Sequence, residues 1–114
     1  MERISRYSFG SITIDGKSYT SDVIVYPASV EASWWRREGH YLRPEDLGGV
    51  VAAKPDVVVI GTGANGVMQV PEKTVRWLEE KGIAVKVART AEAVKLYNRL
   101  CRDTRVVAAL HLTC

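Results

Sequence analysis

The chain has 114 residues, of which 46% are hydrophobic and 25% are charged, and its formal net charge is +3. The length fits one domain, and the composition is that of an ordinary globular protein and not of a disordered chain. Apolar runs such as Val57 to Ile60 are far too short to span a membrane, and no signal-peptide pattern opens the chain. We therefore expect one cytoplasmic domain over residues 1–114, with no membrane partner.

The first third of the chain predicts strands. Apolar residues up to Ile14 lead into Asp15-Gly16, a strong hairpin signal, and residues 17–20 supply the returning strand. A third extended run covers residues 22–26. The stretch 28–43 is irregular, and no helix or strand is assigned to it.

From Pro44 onward, helices alternate with strands. Pro44 suits a first helical position, and Glu45 and Asp46 suit the first turn, so a helix is expected from Pro44 to Lys54. Thr90 is expected to be the N-cap of the last helix. The other predicted elements are the strand 56–60, the helix that begins at Pro71, the strand 83–87 and the strand 105–112.

The order of these elements predicts the fold class. The strand, helix and strand between residues 56 and 87 form a βαβ unit, whose two strands should be parallel. The hairpin at the front of the chain makes the sheet mixed. We expect a layered α/β or α+β sandwich.

A glycine-rich loop follows the first parallel strand. Residues 61–66 match the G-x-G-x-x-G pattern, but the next helix begins only at Pro71 and the second strand ends at Arg89 instead of an acidic residue, so dinucleotide binding is not expected. Backbone N–H groups beside an arginine could still hold a small anion or a nucleotide-like ligand. Alternatively, the glycines only allow the chain to turn and pack. The candidate ligand-binding residues are Gly61, Thr62, Gly63, Arg89, Thr90, Arg36 and His40.

The segment 34–40 combines two tryptophans, two arginines and a histidine. Such a cluster can anchor a protein partner or stack bases, but no nucleic-acid-binding motif accompanies it, so nucleic acid is not expected. If the segment alternates, one tryptophan belongs to the core and its neighbour is exposed with an arginine stacked on it. The candidate interaction residues are Trp34, Trp35 and Arg37.

No group of residues has the spacing of a catalytic set or of a metal site, so no catalytic residue, metal or cofactor is assigned. His111 is expected to be a buried core residue, and Asp22 and Asp56 are expected to be turn or strand-edge residues. Cys101 is predicted to be a small buried hydrophobe, and Cys114 a packed or idle thiol.

The order of several motifs resembles the adipogenesis-associated Mth-domain family, which includes a mitochondrial respiratory complex I assembly factor. The matching pieces are Phe9-Gly10, Trp35-Arg36-Arg37 through His40, Val58 to Gly63, Val70-Pro71, Tyr97-Asn98-Arg99-Leu100 and His111-Leu112-Thr113-Cys114. The resemblance implies a three-layer α/β sandwich whose mixed, mostly parallel central sheet has one antiparallel strand. It implies no established enzyme activity and no catalytic residues. Because this chain shows no mitochondrial targeting extension, a stand-alone prokaryotic protein is expected.

Two hypotheses about function follow. The first is a non-enzymatic interaction, assembly or regulatory module that uses the segment 34–40 to bind a protein partner or a second copy of itself. The second is a binding site for a small anion or nucleotide-like ligand at residues 61–63. The sequence favours the first, because the family resemblance points to interaction and not to turnover.

Overall fold

A computed structural model describes residues 2–114, and its strands form two sheets. The N-terminal sheet is antiparallel and contains β1 (Ile4–Ser8), β2 (Ser11–Ile14) and β3 (Lys17–Tyr19). Asp15 and Gly16 join β2 to β3 with φ of 50° and 82°, as a type I′ turn requires. The predicted hairpin is therefore confirmed, and β1 is an additional strand.

The central sheet has five strands in the order β5-β4-β8-β6-β7. β6, β7 and β8 are parallel, whereas β4 is antiparallel to both β5 and β8, so β4 alone runs against the other four. The mixed, mostly parallel sheet with one reversed strand is therefore confirmed. The strands are β4 (Val23–Val25), β5 (Val30–Glu31), β6 (Val57–Thr62), β7 (Ala84–Ala88) and β8 (Val106–His111).

The helices begin close to the predicted positions. A short 3-10 helix, Pro44–Leu47, continues into α1 (Gly48–Ala53), and α2 (Glu72–Glu80) and α3 (Thr90–Leu100) follow. The prediction that Thr90 caps α3 is wrong, because Arg89 occupies the N-cap position and makes no side-chain capping bond. Within residues 2–114, no helix combines the length and the apolar character that a membrane crossing needs.

Alternate residues of the central sheet bury opposite faces and so create two cores. On β6, Val59 packs with α3 and the N-terminal sheet, whereas Val58 and Ile60 pack toward α1 and α2. Both faces are covered, which explains the nearly continuous apolar sequence of β6 and β8. The expected three-layer sandwich is confirmed.

A buried amide attaches the N-terminal sheet to α3. Asn98 Oδ1 accepts a hydrogen bond from the Ile4 backbone N–H at 3.1 Å, and Asn98 Nδ2 donates to the Ile4 carbonyl at 2.8 Å. The side chain thus satisfies both backbone groups of Ile4 at a position that is almost completely buried.

We expect Asn98→Ala to lower the free energy of unfolding by about 2–4 kcal/mol, because the buried Ile4 N–H and carbonyl lose their partners. Urea unfolding at pH 7 measures the change. Lys95→Ala, an exposed substitution on the same helix, is the control and should stay within about 0.5 kcal/mol of the parent. Equal stability of the two variants would contradict this role of Asn98.

Candidate functional site

The carboxyl end of the parallel strands is where the chemistry-bearing side chains meet. β6 ends at Thr62 and β8 ends at His111, and these two residues are paired in the sheet. β4 runs in the opposite direction, with Val23 opposite Leu110, so its beginning lies at the same edge. This topology places Asp22, the residue before β4, beside His111, although the two are far apart in the sequence.

Asp22 is the centre of a buried polar cluster. Its Oδ2 accepts a hydrogen bond from Arg36 Nη2 at 2.8 Å and lies 2.8 Å from His111 Nδ1, and its Oδ1 accepts from the Leu112 backbone N–H at 2.8 Å. Burial acts to raise the pKa of Asp22, but the hydrogen bonds from His111, Leu112 and Arg36 outweigh it and hold that pKa at about 2. His111 Nδ1 also lies 3.2 Å from Arg36 Nη2, so the three side chains are in mutual contact.

Asp22 lies directly before β4, as predicted for a strand-edge residue, but its contacts with Arg36 and His111 were not predicted. A usable signal was present: an acidic residue directly precedes a short buried strand, and a histidine ends another buried strand. Only the antiparallel pairing of β4 with β8 makes these two positions neighbours. The prediction that His111 is a buried core residue is confirmed.

Arg36 joins the loop after β5 to this cluster. Its side chain is 3% exposed, its Nη2 also donates to the Gly39 carbonyl at 2.7 Å, and its Nε and Nη1 are buried without a protein partner. The guanidinium carbon lies 4.6 Å from the centroid of the Trp34 ring. The prediction that an arginine stacks on the exposed tryptophan is wrong, because Arg36 binds Asp22 in the interior and lies against the buried Trp34.

Two of the predicted ligand-binding residues converge on His111 from other directions. The ring of His40 lies 5.4 Å from the ring of His111, with an angle of 72° between the planes. A Cβ at Gly63 would lie 2.8 Å from Cδ2 of His111. The glycine therefore permits the loop to approach the histidine closely.

The Thr90 hydroxyl connects the glycine loop to the last strand. Its Oγ1 accepts a hydrogen bond from the Gly63 backbone N–H at 2.8 Å and donates to the His111 carbonyl at 2.5 Å. A Cβ at Gly61 would lie 2.8 Å from this hydroxyl oxygen and 2.9 Å from Cδ2 of Leu110. Gly61 therefore leaves the space in which Thr90 makes both bonds, and Thr62 donates separately to the Ala88 carbonyl at 3.1 Å.

The rest of the glycine loop binds the last residues of the chain. The Ala64 N–H donates to the Thr113 carbonyl at 2.6 Å, and the N–H groups of Asn65 and Val67 donate to the Cys114 carbonyl at 3.2 and 3.0 Å. The loop donors that a small anion would use are thus bonded to the chain itself. The ligand-binding assignment stays a prediction, and the packing alternative accounts for these contacts.

Arg89 lies beside the glycine loop. Its side chain is exposed, and its Cγ would be 3.4 Å from a Cβ at Gly66. It forms no salt bridge with any residue of the range 2–114.

Cys101 and Cys114 are half-buried free thiols, so Cys101 is less buried than expected.

Trp35 forms a separate feature on the outside of the Asp22 cluster. It is 76% exposed, whereas its neighbours Trp34 and Arg36 are buried, as the alternating pattern predicts. A groove of about 370 Å³ lies beside it. The groove is lined by Ile24, Glu31, Trp34, Trp35, Arg37, Glu45, Asp46, Gly48 and Gly49.

Trp34 lines the same groove but is almost entirely buried, and two hydrogen bonds hold it in place. Its Nε1 donates to the Asp46 carbonyl at 3.1 Å, and its backbone N–H donates to the Asp22 carbonyl at 2.7 Å. Trp34 is therefore held at both its indole and its backbone, next to the residue from which the exposed Trp35 side chain projects.

Comparisons with known proteins identify the relatives. The family described as "Protein of unknown function (DUF498/DUF598)" matches residues 4–111. The mouse NADH dehydrogenase [ubiquinone] 1 alpha subcomplex assembly factor 3 is 28% identical over 109 residues, which are 93% of this chain but 57% of the mouse protein. This chain thus spans little more than half of that relative.

Solved structures agree with the fold. A conserved hypothetical protein from Pyrococcus horikoshii is 30% identical, with a TM-score of 0.79 over 97% of this chain and 98% of its own. A Mth938-like domain from Bordetella pertussis is 21% identical, with a TM-score of 0.68 over 97% of this chain and 85% of its own, and shows the fold alone. The resemblance to the Mth-domain family is confirmed.

The lowered pKa of Asp22 predicts how the free energy of unfolding depends on pH in acid. A carboxyl whose pKa is lower in the folded state stabilises the fold above its unfolded pKa near 3.9, and the contribution disappears as the pH falls toward 2. Asp22→Asn should lower the free energy of unfolding by about 3 kcal/mol at pH 7, because Arg36 is left as a buried charge without its partner.

The difference in free energy of unfolding between Asp22→Asn and the parent should become smaller between pH 4 and pH 2, because the parent carboxyl takes up its proton in this range. Urea unfolding across this pH range measures it. Asp103→Asn, an exposed substitution, is the matched control and should follow the parent at every pH. A difference for Asp22→Asn that is independent of pH would contradict the assignment.

Proposed function

We propose that this chain, which belongs to the DUF498/DUF598 family, acts as a non-enzymatic protein-interaction module in assembly or regulation. The observation that carries the proposal is the exposed Trp35 on a buried, hydrogen-bonded support. Tryptophan is among the residues that contribute most to the free energy of protein association. A large apolar ring held in water is stabilised when a partner covers it.

The rigidity of the support adds to the argument. Arg36 and Trp34 flank Trp35 in the sequence, and both are fixed, the first by Asp22 and the second by the Asp46 carbonyl. The backbone around Trp35 is therefore positioned before a partner arrives, which reduces the ordering cost of association.

Turnover has less support than binding. The side chain of His111 is 6% exposed, and its Nδ1 faces Asp22, so little of the ring is accessible to a substrate. The glycine loop, the other candidate site, has donated its N–H groups to Thr90, Thr113 and Cys114. The function that these contacts support best is binding through the outer surface.

The mouse relative supports an assembly role, since its name describes an assembly factor of NADH dehydrogenase. This chain covers 57% of that protein. We extend to this chain only the general function, which is binding to a protein partner or to a second copy of itself.

Trp35→Ala should weaken partner binding by about 30-fold while the free energy of unfolding stays within about 0.5 kcal/mol of the parent, because the ring is exposed and a hot-spot residue contributes about 2 kcal/mol or more. Proteins cross-linked to the tagged chain in native lysate are quantified by mass spectrometry for both forms. Light scattering of the pure chain measures self-association in parallel.

Phe9→Ala is the matched control, because Phe9 is an aromatic residue that is 61% exposed but lies at the turn between β1 and β2. It should retain the proteins that the parent binds. If Trp35→Ala and the parent recover the same proteins in the same amounts, or if the parent recovers none and is monomeric, the proposal is wrong.

A further inference from the structure

We infer that the groove beside Trp35 accepts an arginine- or lysine-bearing segment of the partner protein. The inference rests on the proposed function and specifies the chemistry of the partner. It follows from the charges that line the groove, from the hydrogen bonds of its carboxylates and from the exposed indole of Trp35.

The charge of the groove differs in sign from that of the whole chain. Three carboxylates line the groove, those of Glu31, Glu45 and Asp46, against one cation, Arg37. The chain as a whole has a net charge of +3. A negative groove on a net positive chain is complementary to a cationic segment and repels an acidic one.

None of the three carboxylates forms a salt bridge with a residue between 2 and 114, but they differ in their hydrogen bonds. Asp46 is occupied by the backbone, since its Oδ1 accepts from the Arg37 N–H at 3.3 Å and its Oδ2 accepts from the Arg43 N–H at 2.9 Å. Glu31 and Glu45, in contrast, accept no hydrogen bond from a backbone N–H within residues 2–114. Their charges are therefore available to a partner.

A tyrosine that contacts two residues of the groove orients one of these carboxylates. The Tyr26 hydroxyl donates to Glu31 Oε1 at 3.2 Å and lies so close to Gly49 that a Cβ there would overlap it. Burial first, and then the charge of Glu31, raise the pKa of Tyr26 to about 12, so the hydroxyl remains a donor. Tyr26 thus holds Oε1 of Glu31, and this carboxylate lines the groove.

The exposed indole complements a cation as well as an apolar group. A guanidinium or ammonium that stacks on Trp35 gains from the negative face of the ring, and arginine does so most often. A second copy of this chain is a different occupant, and the experiment below separates it from a basic partner segment.

The probe is an acetylated and amidated peptide, Gly-Arg-Gly-Arg-Gly, titrated into the full chain at low salt and followed by nitrogen–proton correlation spectra. The expected result is a change in chemical shift for the Trp35 indole N–H and for the backbone N–H groups of Gly48 and Gly49. The same peptide with glutamate in place of arginine should cause no such change. Shifts scattered over the whole surface, or equal shifts with the glutamate peptide, would overturn the inference.

The double variant Glu31→Gln with Glu45→Gln removes the two available charges and keeps the shape of both side chains. It should weaken binding of the arginine peptide about fivefold, which is the sum expected for two exposed ion pairs. Glu79→Gln with Glu80→Gln, both exposed on α2, is the control and should bind like the parent. Unchanged affinity of the first double variant would overturn the inference.

The same two double variants are used in the cross-linking measurement with Trp35→Ala. Loss of the recovered partner from the Glu31 and Glu45 variant, but not from the α2 variant, supports the inference. If only Trp35→Ala loses the partner, the basic-segment inference fails while the interaction function stands. If light scattering shows a dimer that Trp35→Ala dissociates, and the arginine peptide does not bind, a second copy occupies the groove and the inference is wrong.

Discussion

The Asp22 carboxylate is the point at which the end of the sheet and the loop after β5 are joined. One of its oxygens accepts from Arg36 and faces His111, and the other accepts from the backbone of Leu112. Removing two charges from water is costly, and such a pair contributes little net stability compared with an apolar replacement. The contacts of Asp22 instead fix the positions of its partners, because all three contacts form in only one arrangement of these groups.

The reversed strand makes this cluster possible. If β4 were parallel to its neighbours, its first residue would lie at the opposite edge, away from His111. Gly61 and Gly63 then let the loop after β6 approach so closely that Thr90 bridges it to β8. The close packing at this edge leaves the outer face of the loop after β5, with Trp35, as the accessible surface on which the proposed function rests.

The sequence predicted the fold well because its signals are local. The turn at Asp15-Gly16, the helix that begins at Pro44 and the apolar strand 56–60 each depend on neighbouring residues, and the structure confirms them. The site was less predictable, because Asp22 and His111 meet only through a pairing of strands from opposite ends of the chain. The direction of β4 determines that pairing, and short-range patterns do not determine direction.

The two tryptophans, Trp34 and Trp35, also show what a short-range sequence pattern can and cannot predict. Alternation correctly predicted that one ring is buried and the other exposed. It could not predict which ring carries the arginine, because Arg36 turns inward toward a carboxylate fourteen residues earlier. Ser33, with a φ of 58°, turns the chain just before this segment.

A double-mutant cycle between Asp22→Asn and Arg36→Met tests most directly whether Asp22 holds the Arg36 loop in place. Methionine retains an unbranched side chain against Trp34 and removes the charge. If the account is correct, the losses in free energy of unfolding at pH 7 are non-additive by about 2 kcal/mol, because either substitution alone already breaks the pair. Losses that add within about 0.5 kcal/mol would show that Asp22 and Arg36 act independently, and would contradict the account.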